Sequence, residues 1–307
     1  MRRVSRMDAE MPIDARVGAI EGAMTSMPMN AMTVDVEDYY HVSAFKDAIS
    51  RDDWPGMESR VEANTRYLLE TFDERGIKAT FFVLGWLAER YPGIVREIVE
   101  AGHELACHGY SHQLVYTQSP EVFRDETLRS KSLLEDIGQV PVRGYRAASY
   151  SITRDSEWAL DILLEAGFTY DSSIFPVRHD NYGIPGAEIH PHRIRDAGRG
   201  LIEFPLSAKS IGGWRVPVAG GGYFRLFPYG FTRWALGSIN RKEHRPFIFY
   251  LHPWEIDPDQ PRIDAKWFSR FRHYNNLDRC RDRLDQLLGD FRFGTVSSVL
   301  EGLGLPV

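Results

Sequence analysis

Apolar positions along the chain alternate between a strand-like and a helix-like spacing. "AMTVDV" (31–36) is a short apolar run that predicts a buried strand. "VEANTRYLLETFDERG" (61–76) carries Tyr67, Leu68 and Phe72 at helical spacing and stops at Gly76, a helix closed by a C-terminal glycine. "KATFFVLG" (78–85) is then a strand, "LAERYPGIVREIVEAG" (87–102) is helical in its second half, and "HELACH" (103–108) is a strand. "SPEVFRDETLRSKSLLEDIG" (119–138) has a Ser119 cap and Pro120 at the first helical position. "VRGYRA" (142–147), the helix "TRDSEWALDILLEAG" (153–167) and the strand "FTYDSS" (168–173) continue the rhythm. The turns "ERGIK", "EAGHE" and "EAGFT" mark helix-to-strand passages three times. Strands alternating with helices at this spacing predict parallel βα units, and the chain is long enough to close them into a barrel-like array.

Residues 176–245 break the rhythm with many Gly and Pro and few helical periods, so a long irregular insertion with a hairpin is expected there. "AGGGYF" (219–224) lacks the Lys-Ser/Thr of a phosphate loop and reads as a flexible loop near the substrate. "PFIFYLH" (246–252) is a strong buried strand. Residues 262–307 close the chain with a helix over 275–291, a strand at 292–296 and a short helix after it.

No low-complexity linker divides the 307 residues, so one α/β domain over 30–307 is expected. Residues 1–29 start basic, but Asp8, Glu10 and Asp14 interrupt any signal-peptide core. They read as a disordered extension, with Met24, Met27, Met29 and Met32 as alternative starts, and a cytoplasmic location is expected. No run of about 18 apolar residues predicts a spanning helix. The net charge of -6 comes from mixed signs, which excludes the basic stripe of a nucleic-acid binder. Cys107 and Cys280 form no disulfide framework, and a reducing compartment fits. Nothing here sets the oligomeric state.

Parallel βα arrays collect functional groups at the C-terminal ends of their strands. Titratable residues fall there repeatedly: Asp35, Glu37 and Asp38, then His108 and His112, then Arg146, Asp171 and His252. "HGYSH" places two imidazoles four residues apart, and two His with one carboxylate form a mononuclear site that leaves positions open for water. A second carboxylate nearby would serve as general base, and His252 as general acid. Cys107 alternates away from His108 and reads as core. The aromatics Tyr39, Tyr40, Tyr150, Tyr223 and Trp254 suit a carbohydrate groove, core packing being the other reading.

The order "TVDVED", "HGYSH", "RAASY", "YDSSIFP", "YLHPWE" resembles the polysaccharide deacetylase family, carbohydrate esterase family four, from about Met32 to about Val296. "DVEDYYHVSAF", "GGGYFRLFPY" and "FRHYNNL" resemble a branch found with exosortase-linked exopolysaccharide loci. The resemblance implies a distorted (β/α) barrel with about seven parallel strands, a divalent metal, often zinc, and hydrolysis of N-acetyl groups on amino sugars. By position it implies Asp35 as base, Arg146 as its partner, His108 and His112 as metal ligands, and His252 as acid with Asp171 beside it. It also implies Leu251 against the acetyl methyl and a backbone N–H near Ser149–Tyr150 for the oxyanion. The family's first motif has its metal carboxylate directly after the base, where Val36 stands here. The ligand therefore shifts to Glu37 or Asp38, with Asp38 favoured as the family's ligand type. Two other readings are a hydrolase of a small C–N substrate and a glycan binder without turnover.

Overall fold

A computed structural model of the chain describes residues 28–179, 182–195 and 200–307. The extension expected at 1–29 thus lies almost wholly outside the described residues.

Five strands alternate with helices in the first half: β1 (Asn30–Val36), β2 (Thr80–Val83), β3 (Glu104–Cys107), β4 (Gly144–Tyr145) and β5 (Tyr170–Asp171). Between them run α1 (Val61–Glu74), α2 (Gly85–Arg90), α3 (Pro92–Glu100), α4 (Pro120–Gly138) and α5 (Trp158–Glu165). The second half supplies β6 (His192–Arg195), β7 (Leu201–Glu203), β8 (Ala208–Ile211), β9 (Trp214–Pro217), β10 (Ile248–Leu251) and β11 (Phe293–Gly294). Its helices are α6 (Gly221–Leu226), α7 (Tyr229–Lys242), α8 (Trp267–Tyr274), α9 (Cys280–Asp290) and α10 (Val296–Gly302).

The main sheet runs β10-β1-β2-β3-β4-β5-β7-β6, with β11 also on β1. All of these pairs are parallel except β6 on β7. The end strands β10 and β6 do not pair with each other, so the sheet is an open, distorted (β/α) barrel. β1 is central, and all seven of its residues are buried. Its side chains alternate. Met32, Val34 and Val36 join the large core cluster on one face, while Thr33 and Asp35 meet Arg146 on the other. Each fully buried Val, Leu or Phe of that core contributes about 1.5–3 kcal/mol.

The three repeated turns have a common cause. Gly76, Gly102 and Gly167 take φ of 62°, 76° and 79° after α1, α3 and α5. This is the left-handed helix-closing conformation, where a side chain costs about 1–2 kcal/mol. α4 begins as read, with Ser119 Oγ accepting from Val122 N.

Residues 176–245 differ from expectation. The hairpin is present as β8–β9, but the segment also adds two strands to the main sheet and holds the 14-residue α7. "AGGGYF" is no flexible loop. Tyr250 N donates to Ala219 O at 3.1 Å, and a Cβ at Gly220 would lie 1.9 Å from Tyr250 O. The glycine lets this segment press against β10.

Candidate active site

β1 delivers two carboxylates to one place. Asp35 and Glu37 are two residues apart, so the alternation of an extended chain points both inward. Asp38 points the other way. Its Oδ2 accepts from Ser59 Oγ and Arg60 N, both at 2.8 Å, and from Val61 N at 3.1 Å. Its Oδ1 accepts from Tyr39 N at 3.0 Å. Asp38 caps the start of α1, and burial pushes its pKa up despite these donors. The carboxylate placed to join the two imidazoles in a candidate metal site is therefore Glu37, not the favoured Asp38.

Glu37 Oε1 stands 3.0 Å from His108 Nε2 and 2.9 Å from His112 Nε2. The three ligand atoms lie within 4.8 Å of one another, and all three residues are buried. His108 Nδ1 donates to Arg146 O at 2.8 Å, which turns the Nε2 lone pair toward Glu37. His112 Nε2 is buried and, apart from its 2.9 Å approach to Glu37, has no other partner. Burial alone would raise the Glu37 pKa, but the surrounding imidazoles hold it well below the carboxylate range. Two imidazole nitrogens and one carboxylate oxygen, with one nitrogen otherwise orphaned, fit a divalent cation.

Asp35 is held by a buried arginine. Arg146 Nη1 donates to Asp35 Oδ1 at 2.6 Å and to Thr33 Oγ1 at 2.8 Å. Its Nη2 and Nε donate to Ser172 Oγ and Ser172 O, and the guanidinium lies over Phe82, 4.1 Å from the ring centroid. Burial works against the Arg146 charge, yet Asp35, Tyr150 and Tyr170 together raise its pKa. Asp35 Oδ2 accepts from the Tyr150 hydroxyl at 3.3 Å. Burial and the neighbouring Asp35 raise the Tyr150 pKa well above the usual phenol range, so this hydroxyl remains a donor.

His252 follows β10 and carries 17% of its side-chain surface exposed, more than the other groups of the cluster. Its Nε2 lies 3.9 Å from both Asp35 Oδ2 and Glu37 Oε1. Its Nδ1 donates to Glu255 Oε2 at 3.0 Å. Glu255 Oε1 in turn accepts from buried Arg225 Nε at 2.7 Å. Burial would raise Glu255, but Arg225 and His252 hold it at about 2. Burial would lower His252, but Glu255, Glu37 and Asp35 raise it to about 9.

Residues 47–170 match the family model described as "Polysaccharide deacetylase", and residues 172–301 match one described as "Domain of unknown function (DUF3473)". The chain carries a polysaccharide deacetylase domain, matched over residues 47–170. A peptidoglycan deacetylase of Helicobacter pylori is 29% identical over 177 residues, 57% of this chain and 53% of that protein. A peptidoglycan-N-acetylglucosamine deacetylase of Bacillus cereus is 32% identical over 87 residues, 28% of this chain and 30% of that protein. The matches thus span about half or less of these curated relatives. A Mycobacterium smegmatis structure described as a polysaccharide deacetylase superposes with a TM-score of 0.60 at 18% identity, covering 91% of this chain and 92% of that one. The Puue allantoinase superposes with a TM-score of 0.58 at 14% identity, covering 88% of each chain. Both likenesses are of fold.

Several positions taken from the polysaccharide deacetylase motifs stand elsewhere than expected. Asp171 does not touch His252. Ser173 Oγ donates to its Oδ1 at 2.6 Å, and it pairs in register with Glu203 of β7. Burial raises both carboxyls, Asp171 to about 6. Leu251 belongs to the large core cluster with Val34, because it alternates away from Tyr250 and His252. Tyr250 faces inward instead, its ring 5.1 Å from that of Tyr150. Tyr150 N donates to Ala147 O at 3.0 Å, so that amide is engaged and the hydroxyl is the group aimed at the cluster. Ser149 and Tyr150 both take positive φ, 51° and 55°, a strained pair beside Asp35. Tyr39 and Tyr40 are core. Trp254 is buried and stacks between His252, at 5.2 Å, and His273, at 4.1 Å. Tyr223 is half-buried, its hydroxyl 3.3 Å from that of Tyr182. Glu255 and Arg225 were not singled out from the sequence. The signal for Glu255 was present in "HPWE", a capping box with histidine as the cap.

Proposed function

We propose that this polysaccharide deacetylase relative removes N-acetyl groups from an amino-sugar polymer or its precursor by metal-dependent hydrolysis. One observation carries the reading: the carboxylate of Asp35, the Glu37–His108–His112 triad and the imidazole of His252 converge within 3.9 Å contacts at the C-terminal ends of β1, β3 and β10.

A divalent cation, zinc by ligand type, held by Glu37, His108 and His112 would supply Lewis-acid activation of the acetamide carbonyl and of a water. Asp35 takes a proton from the attacking water through Oδ2, the oxygen that Arg146 leaves free. Arg146 and Thr33 fix the orientation of that carboxylate. As the C–O bond forms and the C–N bond breaks, His252 Nε2 gives its proton to the departing sugar nitrogen. Glu255 holds the imidazole by Nδ1 and keeps Nε2 directed at the reacting centre. The Tyr150 hydroxyl donates to Asp35 Oδ2 before reaction; once that oxygen has taken the water's proton, the hydroxyl turns to the carbonyl oxygen that gains charge. The products are acetate and the free amine.

The motif resemblance supports an exopolysaccharide as the setting. The reading is tested by following amine release from N-acetylglucosamine oligomers of increasing length, with and without chelator. Release that rises with length, stops with chelator and returns with zinc is expected. Release that is unaffected by chelator overturns it, and activity confined to small acyclic amides assigns the site to small-molecule chemistry.

A further inference from the structure

α8 exposes an unusual face. Trp267, Phe268 and Phe271 are 77%, 53% and 50% exposed. Residues three and four apart share one side of a helix, so these three rings form a single aromatic arc. The opposite side is anchored: His273 is buried and stacks on Trp254, which stacks on His252. The arc therefore points outward at a fixed distance from the candidate active site. Monomeric proteins rarely expose such apolar clusters without a partner.

Charge says what kind of partner. Arg270 and Arg272 flank the arc on either side at 100° per residue, and the Arg272 guanidinium lies over Phe268 at 5.7 Å. Neither forms an ion pair among the described residues, whereas Lys266 pairs with Asp47. Residues 262–274 hold four cations, Arg262, Lys266, Arg270 and Arg272, against one carboxylate, Asp264, in a chain of net charge -6. Aromatic rings with cationic borders match the interface of an anionic bilayer, where rings sit at headgroup depth and arginines reach phosphates. A neutral glycan offers no charge for these borders to meet.

We infer that α8 is a peripheral docking surface for anionic phospholipid. The inference does not depend on the deacetylase reading. Full-length protein is sedimented with vesicles of phosphatidylcholine alone or mixed equally with phosphatidylglycerol. Binding to the mixed vesicles is expected to be at least about tenfold tighter, and Arg270→Ala/Arg272→Ala to lose about tenfold of it. Trp267→Ala/Phe268→Ala/Phe271→Ala is expected to abolish it, with circular dichroism and soluble-oligosaccharide binding unchanged. Equal sedimentation with both vesicle types, or wild-type binding by the triple variant, overturns the inference. A dimer, or soluble-glycan binding, that disappears in the triple variant would reassign the face and also overturn it.

Discussion

Glu255 binds His252 twice across three residues. Its Oε2 accepts from the histidine's backbone N–H at 3.1 Å and from Nδ1 at 3.0 Å. The carboxylate is fixed from behind by Arg225, whose Nη1 also donates to the carbonyls of His273 and Asn275. The second half of the chain thus orients the imidazole that meets Asp35 and Glu37 of the first half.

Replacing Glu255 by Gln keeps the shape and removes the charge. Activity is expected to fall by about 10–100-fold, the cost of losing such an orienting partner. The pH profile carries the sign. On the proposed mechanism His252 acts as an acid while protonated, and Glu255 helps raise its pKa to about 9. The alkaline limb of kcat should therefore move to lower pH in the variant. An unmoved limb would separate Glu255 from His252.

Glu37→Ala and Asp38→Ala should behave oppositely. The first is expected to lose bound metal while staying folded, because its partners are two imidazoles. The second is expected to keep metal and lose about 2 kcal/mol of stability, because it leaves the amides of Arg60 and Val61 at the start of α1 without an acceptor. Metal content per chain and urea midpoints read both at once. Metal loss in Asp38→Ala alone would reverse the assignment.

These two positions also measure how much the sequence could say. Asp35, His108, Arg146 and His252 were legible because each sits at or just after the end of a parallel strand, and His112 because it stands four residues from His108. Glu37 was decidable from strand alternation, yet residue type pulled toward Asp38, whose Oδ2 partners come from 21 or more residues away. Leu251 followed the motif's expectation and failed the same alternation. The barrel was legible from its glycine-closed turns. α7 and α8 were not, since Gly, Ser and Arg dilute their periodicity and tertiary packing fixes them.

The Asp171–Glu203 pair should leave a trace in stability. Both carboxyls are raised on folding, so the folded chain binds more protons than the unfolded one. Their contribution is present at low pH and is lost as pH rises from the ordinary carboxyl range through about 6 and beyond. Urea unfolding at pH 5 and pH 8 is expected to show this loss in the wild type and a flatter profile in Glu203→Gln. A steeper profile in the variant would contradict the shared burial.

Tyr150→Phe removes one hydroxyl and keeps the ring packing against Tyr250 and Phe175. A fall in kcat of about 10²-fold with KM nearly constant is expected if the hydroxyl serves the developing charge. A rise in KM alone would make it a binding contact.

The most direct test pairs the wild type with Asp35→Asn on N-acetylglucosamine oligomers, counting acetate and free amine together. Equal amounts of both from the zinc-loaded wild type, and a rate about 10²–10⁴-fold lower in the variant, are the expected result. Undiminished release by Asp35→Asn, or no release from any oligomer by the wild type, would contradict the account.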